Sequence, residues 1–465
     1  MRAALAQILP SLTGARLVGA GDVVFNGVST DSRSVTAGAL FVALRGEVFD
    51  AHSFLEQVAE KGVGAVVVEE LPEGWKLPAI VVPNTLVALG QIANYWRRQF
   101  AMPVIGVTGS NGKTTVKEMI SAILAAAHGE EGRLATRGNL NNEIGVPLTL
   151  FRMEAKQQSA VIEMGMNHPG EIGRLAAIAA ANIAMVNNAQ REHQEFMHTV
   201  EAVARENGSV LAALPSDGVA VFPHGDEFTP VWEELAAGRR WLRFGFTKDA
   251  EVSCTFRAGD FDSHLFITIG EAENDVQQFA VFLQAAGEHN VRNALAAVAC
   301  TYAAGIPLEK IKLGLDTFQP VSGRLQKKAA ANGAVVIDDT YNANPDSVRA
   351  AIDVLSKAAA PRVLVLGDMG EVGNQGPEFH AEIGAYAQTK GIETVLVTGE
   401  LAAHMIGNDR GANIRHFANF GDLLSAVEAA VSPDVTVLIK GSRFMKMERV
   451  VQHLIGSQQA NKESH

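Results

Sequence analysis

The chain has 465 residues, 47% of them hydrophobic and 19% charged, with a formal net charge of -12. That length allows about three domains of roughly 150 residues each, the apolar share fills several cores, and the absence of a Lys/Arg run excludes a duplex-binding surface, so no nucleic acid partner is expected. The two cysteines, Cys254 and Cys300, form no C-x-x-C pair, which excludes a zinc ribbon or a disulfide framework and predicts two free thiols in a reducing compartment.

Residues Met1 to Pro10 are too short and too interrupted for a signal peptide, and no run reaches about 18 apolar residues. A cytoplasmic protein with no membrane partner is expected. Residues 39–44 and 64–68 read as strands from their apolar, β-branched content. Between them, 52–61 reads as a helix with Phe54, Leu55 and Val58 on one face. A second helix covers 85–100, and Ala101-Met102-Pro103 looks like a hinge.

From there strand and helix alternate. Residues 103–108 are a strand and 114–127 a helix; 160–164 and 183–188 are further strands. Such alternation predicts a mostly parallel sheet covered by helices. Residues 241–284 change to short alternating segments and predict an antiparallel edge sheet, and 290–304 returns to helix. A second break falls at Phe318-Gln319-Pro320-Val321-Ser322-Gly323. Beyond it, strands at 335–338, 363–366, 394–397 and 435–439, with helices between, predict another doubly wound unit. Residues 457–465 are polar and predicted to fray.

The sharpest feature is Gly106-Val107-Thr108-Gly109-Ser110-Asn111-Gly112-Lys113-Thr114-Thr115, lying between a strand and a helix. That is the context of a phosphate loop. Its glycines turn the backbone so that N–H groups face phosphate oxygens, and the helix N-terminus adds partial positive charge. Gly109, Ser110, Asn111, Gly112, Lys113, Thr114 and Thr115 are therefore the expected ATP-binding residues. Lys113 would reach the β/γ-phosphates and the Thr114 hydroxyl would ligate Mg²⁺. The loop departs from the generic G-x-x-x-x-G-K-[ST] pattern, because Val107 stands five positions before Gly112. Glu163 ends a strand, where either a Mg²⁺ ligand or a solvated loop acid can sit; beside a phosphate loop the metal role is favoured. The fold expected is α/β in three domains: a small mixed α/β N-terminal domain (1–99), a central P-loop parallel-sheet ATPase domain (100–319) and a C-terminal Rossmann-like doubly wound domain (320–465).

The form Thr-Gly-Ser-Asn-Gly-Lys-Thr-Thr resembles the phosphate loop of the Mur ligase family and of the related folylpolyglutamate synthetases, which activate carboxylates. The resemblance implies further roles. His193, in the stretch following the strand at 183–188, is similar to the family histidine that holds a second Mg²⁺. A lysine that the family often carries some fourteen or fifteen positions later, and carbamylates, is missing from Ala204-Arg205-Glu206-Asn207-Gly208; Asn207 or Glu206 would stand in, and no carbamylated lysine is expected. Asn290 and Asn293 share a helix face and would read the adenine edge, with helix capping by Asn290 an open alternative. Arg324, in Ser322-Gly323-Arg324, would reach the γ-phosphate, and Asp339 the ribose.

Several stretches resemble the family branch that takes a D-alanyl dipeptide: Tyr341-Asn342-Ala343-Asn344-Pro345, Gly367-Asp368-Met369-Gly370-Glu371-Val372-Gly373, Lys440-Gly441-Ser442-Arg443 and Phe49-Asp50-Ala51-His52. Ser29, Asp31, Ser32 and Arg33 resemble a UDP-anchoring segment. Asn139 and Asn142 would line a muramoyl-peptide channel, and Tyr341, Asn342 and Asn344 would meet substrate from the third domain. The resemblance implies catalysis by Lys113, Glu163, His193 and Arg324, with ATP and Mg²⁺ as cofactors. The partners implied are UDP-N-acetylmuramoyl-tripeptide and D-alanyl-D-alanine, acted on by a monomer. Another Mur ligase, a folylpolyglutamate-synthetase-like ligase, or a non-ligase nucleotide-binding regulator are the alternatives.

Overall fold

A computed structural model describes every residue except Glu47, His193, 271–275, 408–412 and 457–465. The metal-ligand expectation for His193 and the fraying expected of the last nine residues fall outside the described residues. Three large sheets follow one another along the chain. The first has five strands in the order Arg16–Val18, Ala79–Val81, Ala65–Val68, Leu40–Val42, Val28–Ser29. Its first pair is antiparallel and the rest are parallel. The helix expected over 52–61 is split. Asp50 accepts the His52 N–H and starts a tight turn at Ala51–Phe54, and the α-helix proper is Leu55–Glu60.

The helix Thr85–Arg97 (α1) leads into the central unit. There β1 (Val104–Thr108) runs into α2 (Lys113–His128), and β2 (Ser159–Glu163), α3 (Glu171–Ala179), β3 (Ile183–Val186) and α4 (Val200–Ala212) follow. β1 lies between β2 and β3, parallel to both. All five residues of β1 and of β2 are buried, as expected of parallel strands covered on both faces. The central sheet has nine strands. Its far edge, Val252–Ala258, Ser263–Ile269 and Gln277–Leu283, is antiparallel as expected. The strand Arg240–Gly245, also expected to be antiparallel, instead pairs parallel with Val219–Pro223. The intervening helix Thr229–Leu235 returns the chain to the same end of the sheet, so only a parallel pairing is available. The helix α5 (Glu288–Ala303) covers one face, packing on α2.

The third sheet has six strands, and its core alternates with helices: β4 (Val335–Asp339), α6 (Pro345–Lys357), β5 (Arg362–Leu366), α7 (Gly376–Thr389) and, inserted between β4 and β5, β6 (Thr436–Lys440). These three strands are parallel. Their carboxyl ends therefore share one rim, where such sheets bind ligands.

The hydrophobic cores show which units are packed as one. Leu89 and Ile92 of α1 share one cluster with Leu150, Ile162 and Leu175 of the central unit. Each such fully buried aliphatic side chain contributes about 1.5–3 kcal/mol. Arg97 pins the same joint: its buried guanidinium donates to the carbonyls of Phe100, Ala179 and Ala180 and to Asn182 Oδ1. The third sheet has its own cores on its two faces. Among the described residues no helix is long and apolar enough to cross a membrane.

Candidate active site

The phosphate loop is built by the turn between β1 and α2. Gly112 is at φ 81°, in the left-handed region, and a Cβ there would lie 2.5 Å from both Asn187 Nδ2 and Asn293 Oδ1. Only glycine meets both demands. Gly109, at φ 131°, has Asn187 Cβ within 2.9 Å of an added Cβ. The loop is held from outside by the segment after β3. Ser110 N–H donates to Asn188 O at 3.2 Å, Asn111 N–H to Asn188 Oδ1 at 2.9 Å, and Gln190 N–H to Ser110 Oγ at 2.9 Å. Lys113 Nζ curls over its own loop onto Gly109 O and Ser110 O, and lies 3.5 Å from Glu192 Oε2. Thr115 follows on the cleft wall.

Beside the loop, Thr114 Oγ1 donates to Glu163 Oε1 at 3.1 Å, and Asn141 Nδ2 donates to the same oxygen at 2.9 Å. Glu163 is 2% exposed, and its second oxygen, Oε2, is buried with no hydrogen-bond partner. A buried carboxylate oxygen left in this state costs several kcal/mol unless a cation meets it. A hydroxyl and an orphaned carboxylate at the mouth of a phosphate loop suit Mg²⁺, which takes few protein ligands and completes its shell with phosphate and water.

The loop opens into a cleft of about 1060 Å³ that the third unit completes. Arg324 donates from Nη2 to Thr114 Oγ1 at 2.9 Å, with its guanidinium 4.2 Å above the Tyr341 ring. Asp339, at the carboxyl end of β4, accepts from Leu325 N–H and pairs with Lys440 Nζ at 2.7 Å. Burial pushes its carboxyl up, and Lys440 opposes that shift. Lys440 also donates to Asn342 O at 2.8 Å, tying the Tyr-Asn loop to the rim. Asn344 caps α6 by accepting from Ser347 N–H, and exchanges amide hydrogen bonds with Asn111 of the phosphate loop.

At the other end of the cleft, Asn293 Nδ2 donates to Asn290 Oδ1 at 3.1 Å, and Asn293 Oδ1 accepts from Asn187. The capping role left open for Asn290 does not hold. The helix begins at Glu288 with Gly287 as its cap, and Asn290 Nδ2 reaches back to Ala286 O. Next to the pair, burial takes the His289 imidazole down to about 4, with Lys440 and Lys357 adding to the drop against Asp353.

Asn139 and Asn142 line the cleft; Asn142 Oδ1 also accepts from Ile144 and Gly145 N–H. Ser29, Asp31, Ser32 and Arg33 are not among its lining residues. Ser29 ends the strand Val28–Ser29 and the others lie in the turn that follows, where Asp31 and Arg33 pair at 2.9 Å and the Asp31 carboxyl falls to about 2 through that contact. Of the two candidates for the missing lysine, Glu206 accepts from Gly170 and Ile172 N–H at the start of α3, whereas Asn207 Oδ1 accepts from Gly109 N–H in the phosphate loop. Sequence reasoning missed Asn141, Asn188, Gln190 and Arg191. They sit in stretches it had marked, but each acts through a partner distant in sequence.

Comparison with known proteins supplies the rest. Three family profiles match: "Mur ligase family, catalytic domain" over 24–97, "Mur ligase middle domain" over 107–301 and "Mur ligase, glutamate ligase domain" over 323–443. The chain is 37% identical over 452 residues to the UDP-N-acetylmuramoyl-tripeptide–D-alanyl-D-alanine ligase of Escherichia coli K12, covering 97% of this chain and 98% of that one. A crystal structure of MurF from Acinetobacter baumannii superposes with a TM-score of 0.90 at 33% identity, covering 98% and 99% of the two chains. MurF ligase from Thermotoga maritima in complex with ADP shares the fold, with a TM-score of 0.82 at 24% identity over 94% of this chain and 98% of that one.

Proposed function

The chain belongs to the Mur ligase family, and on that premise we propose that its cleft uses ATP to join D-alanyl-D-alanine to the terminal carboxylate of UDP-N-acetylmuramoyl-tripeptide, a step of peptidoglycan synthesis. The observation that carries this reading is the meeting of Arg324 with Thr114, which sets the third unit's ligand rim over a phosphate loop.

A carboxylate is a poor electrophile, so it is first phosphorylated. Its oxygen attacks the γ-phosphorus of ATP, the bond to the β-phosphate oxygen breaks, and ADP leaves. The amine of the dipeptide then attacks the acyl phosphate carbon. A C–N bond forms, the C–O bond to phosphate breaks, and the amine's proton is lost. The loop amides of Gly109 to Thr115 and Lys113 hold the β- and γ-phosphates, and Arg324 neutralises charge on the transferring group. Thr114 and Glu163, with His193 as the family resemblance implies, would hold Mg²⁺, which would neutralise phosphate charge. Asn290 and Asn293 read the adenine edge, and Asp339, oriented by Lys440, takes the ribose. Ser29, Asp31, Ser32 and Arg33 anchor the UDP end, Asn139 and Asn142 the muramoyl peptide, and Tyr341, Asn342 and Asn344 face substrate from the third unit. Asn207, bonded to the loop itself, takes the place of the family's modified lysine. The expected monomer belongs to this reading as well, and dependence on ATP supports a cytoplasmic setting.

The test is incubation of the protein with ATP, Mg²⁺, UDP-N-acetylmuramoyl-tripeptide and D-alanyl-D-alanine. Mass spectrometry should find the nucleotide-peptide heavier by the dipeptide less one water. Phosphate release that is equal with and without the two peptide substrates sinks the ligase reading and favours a regulatory nucleotide-binding protein.

A further inference from the structure

The segment that walls the phosphate loop does not stop at it. Asn188 and Gln190 face inward to Ser110 and Asn111, and the next residue, Arg191, turns to the third unit. Its backbone N–H donates to Asp346 Oδ2 at 2.9 Å. Its guanidinium donates to Asp346 Oδ1 from Nη2 at 2.7 Å and from Nε at 3.1 Å. The same group reaches Glu382 Oε2 from Nη1 at 2.8 Å and Glu382 Oε1 from Nη2 at 3.2 Å. Asp346 lies in the first turn of α6 and Glu382 in α7, so one side chain ties two helices of the third unit to the central one. The Phe379 ring lies 5.3 Å below it, and Arg349 steadies Glu382 from the far side at 2.7 Å.

We propose that Arg191 is a positioning residue, a latch that sets the third unit so that Arg324 and Asn344 meet Thr114 and Asn111 of the phosphate loop. The third unit has cores of its own, joined from the central unit by the partly buried Phe261. Beside that apolar contact a small set of polar contacts fixes its angle, and Arg191 makes the densest of them. A planar guanidinium serves two carboxylates from two helices with several aligned hydrogen bonds, whereas a lysine ammonium would reach them only as a compact point charge. The two carboxylates hold the guanidinium's pKa above its ordinary value, and Arg191 and Arg349 hold that of Glu382 below its own. The inference rests on the ligase reading for its kinetic part only.

The experiment compares wild type with Arg191→Ala, Arg191→Lys, Asp346→Ala and the Arg191→Ala/Asp346→Ala double variant. For Arg191→Ala, kcat should fall by about tenfold to a hundredfold, because misplacement of about 1 Å can cost up to about a hundredfold. In the ligase reading the UDP end is anchored by the first unit, so the KM for the UDP substrate should stay within about twofold, and the radius of gyration by small-angle X-ray scattering should rise. Arg191→Lys should fall between, and the double variant should lose no more than the worse single one, as for coupled partners. Unchanged kcat and scattering in Arg191→Ala overturn the proposal. So do losses that multiply in the double variant, or an equal loss of UDP-substrate affinity with a lowered Tm, which marks a merely structural contact. If the wild type ligates nothing, the function falls, while the scattering comparison still decides the latch.

Discussion

Arg324 reaches across 210 positions of chain to place Nη2 2.9 Å from Thr114 Oγ1, and that hydroxyl donates in turn to Glu163 Oε1. A cation from the turn that enters the third unit, a hydroxyl from the phosphate loop and a carboxylate from the central sheet thus form one chain of contacts. Arg324 would meet negative charge developing on a transferred phosphoryl group directly, and Thr114 and Glu163 would meet it only through the Mg²⁺ they would hold.

Glu163→Gln keeps an acceptor for Asn141 Nδ2 and removes the negative charge. Nucleotide should still bind, while the Mg²⁺ concentration for half-maximal turnover should rise about 10–100-fold, the range seen even for outer ligand partners. Turnover measured against Mg²⁺ at saturating ATP checks this; an unshifted curve removes Glu163 from the metal site.

Gly112→Ala puts a methyl group at φ 81° and 2.5 Å from two amide groups. The left-handed conformation alone costs about 1–2 kcal/mol, and the clash with Asn187 and Asn293 adds to it. Calorimetric affinity for ATP with Mg²⁺ should drop about tenfold or more, since 1.4 kcal/mol is tenfold. Wild-type affinity in this variant would mean that the loop can shift at no cost.

His289 supplies a pH dependence. Its folded value, about 4, lies below its ordinary 6.5, so between these values the unfolded chain binds the proton and the folded one does not. Stability contributed by the neutral ring is present above pH 6.5 and is lost as pH falls toward 4. Urea midpoints should decline over that window, and His289→Gln should flatten the decline. A parallel pH profile in the variant refutes the assignment.

Arg97→Ala should destabilise by about 2–4 kcal/mol, because its guanidinium serves three carbonyls and Asn182 in a buried joint. Burial lowers its pKa only to about 10, so it stays charged at neutral pH. Since α1 shares a core with the central unit, the urea transition of both should shift together. A change under about 0.5 kcal/mol would mean that water replaces the lost donors.

Much of the site was legible along the chain because it is local. The phosphate loop is ten consecutive residues whose glycines, lysine and threonines announce their own geometry, and Glu163 and Asp339 end strands whose apolar runs mark them. Arg240–Gly245 was misjudged because period alone does not state the direction of a partner strand. The turn at Ala51–Phe54 escaped because the Asp50 cap competes with helix start in a way that apolar spacing does not record.

The amino-acid order determined three α/β units, a nucleotide loop and the family to which the chain belongs, because short-range steric and capping rules act within a few residues. Folding in space decided which groups share the cleft. Asn141 orients Glu163 from 22 positions away, and Arg191 meets Asp346 from 155. No spacing rule links such pairs, since their approach depends on how separate sheets pack and where their rims come to rest.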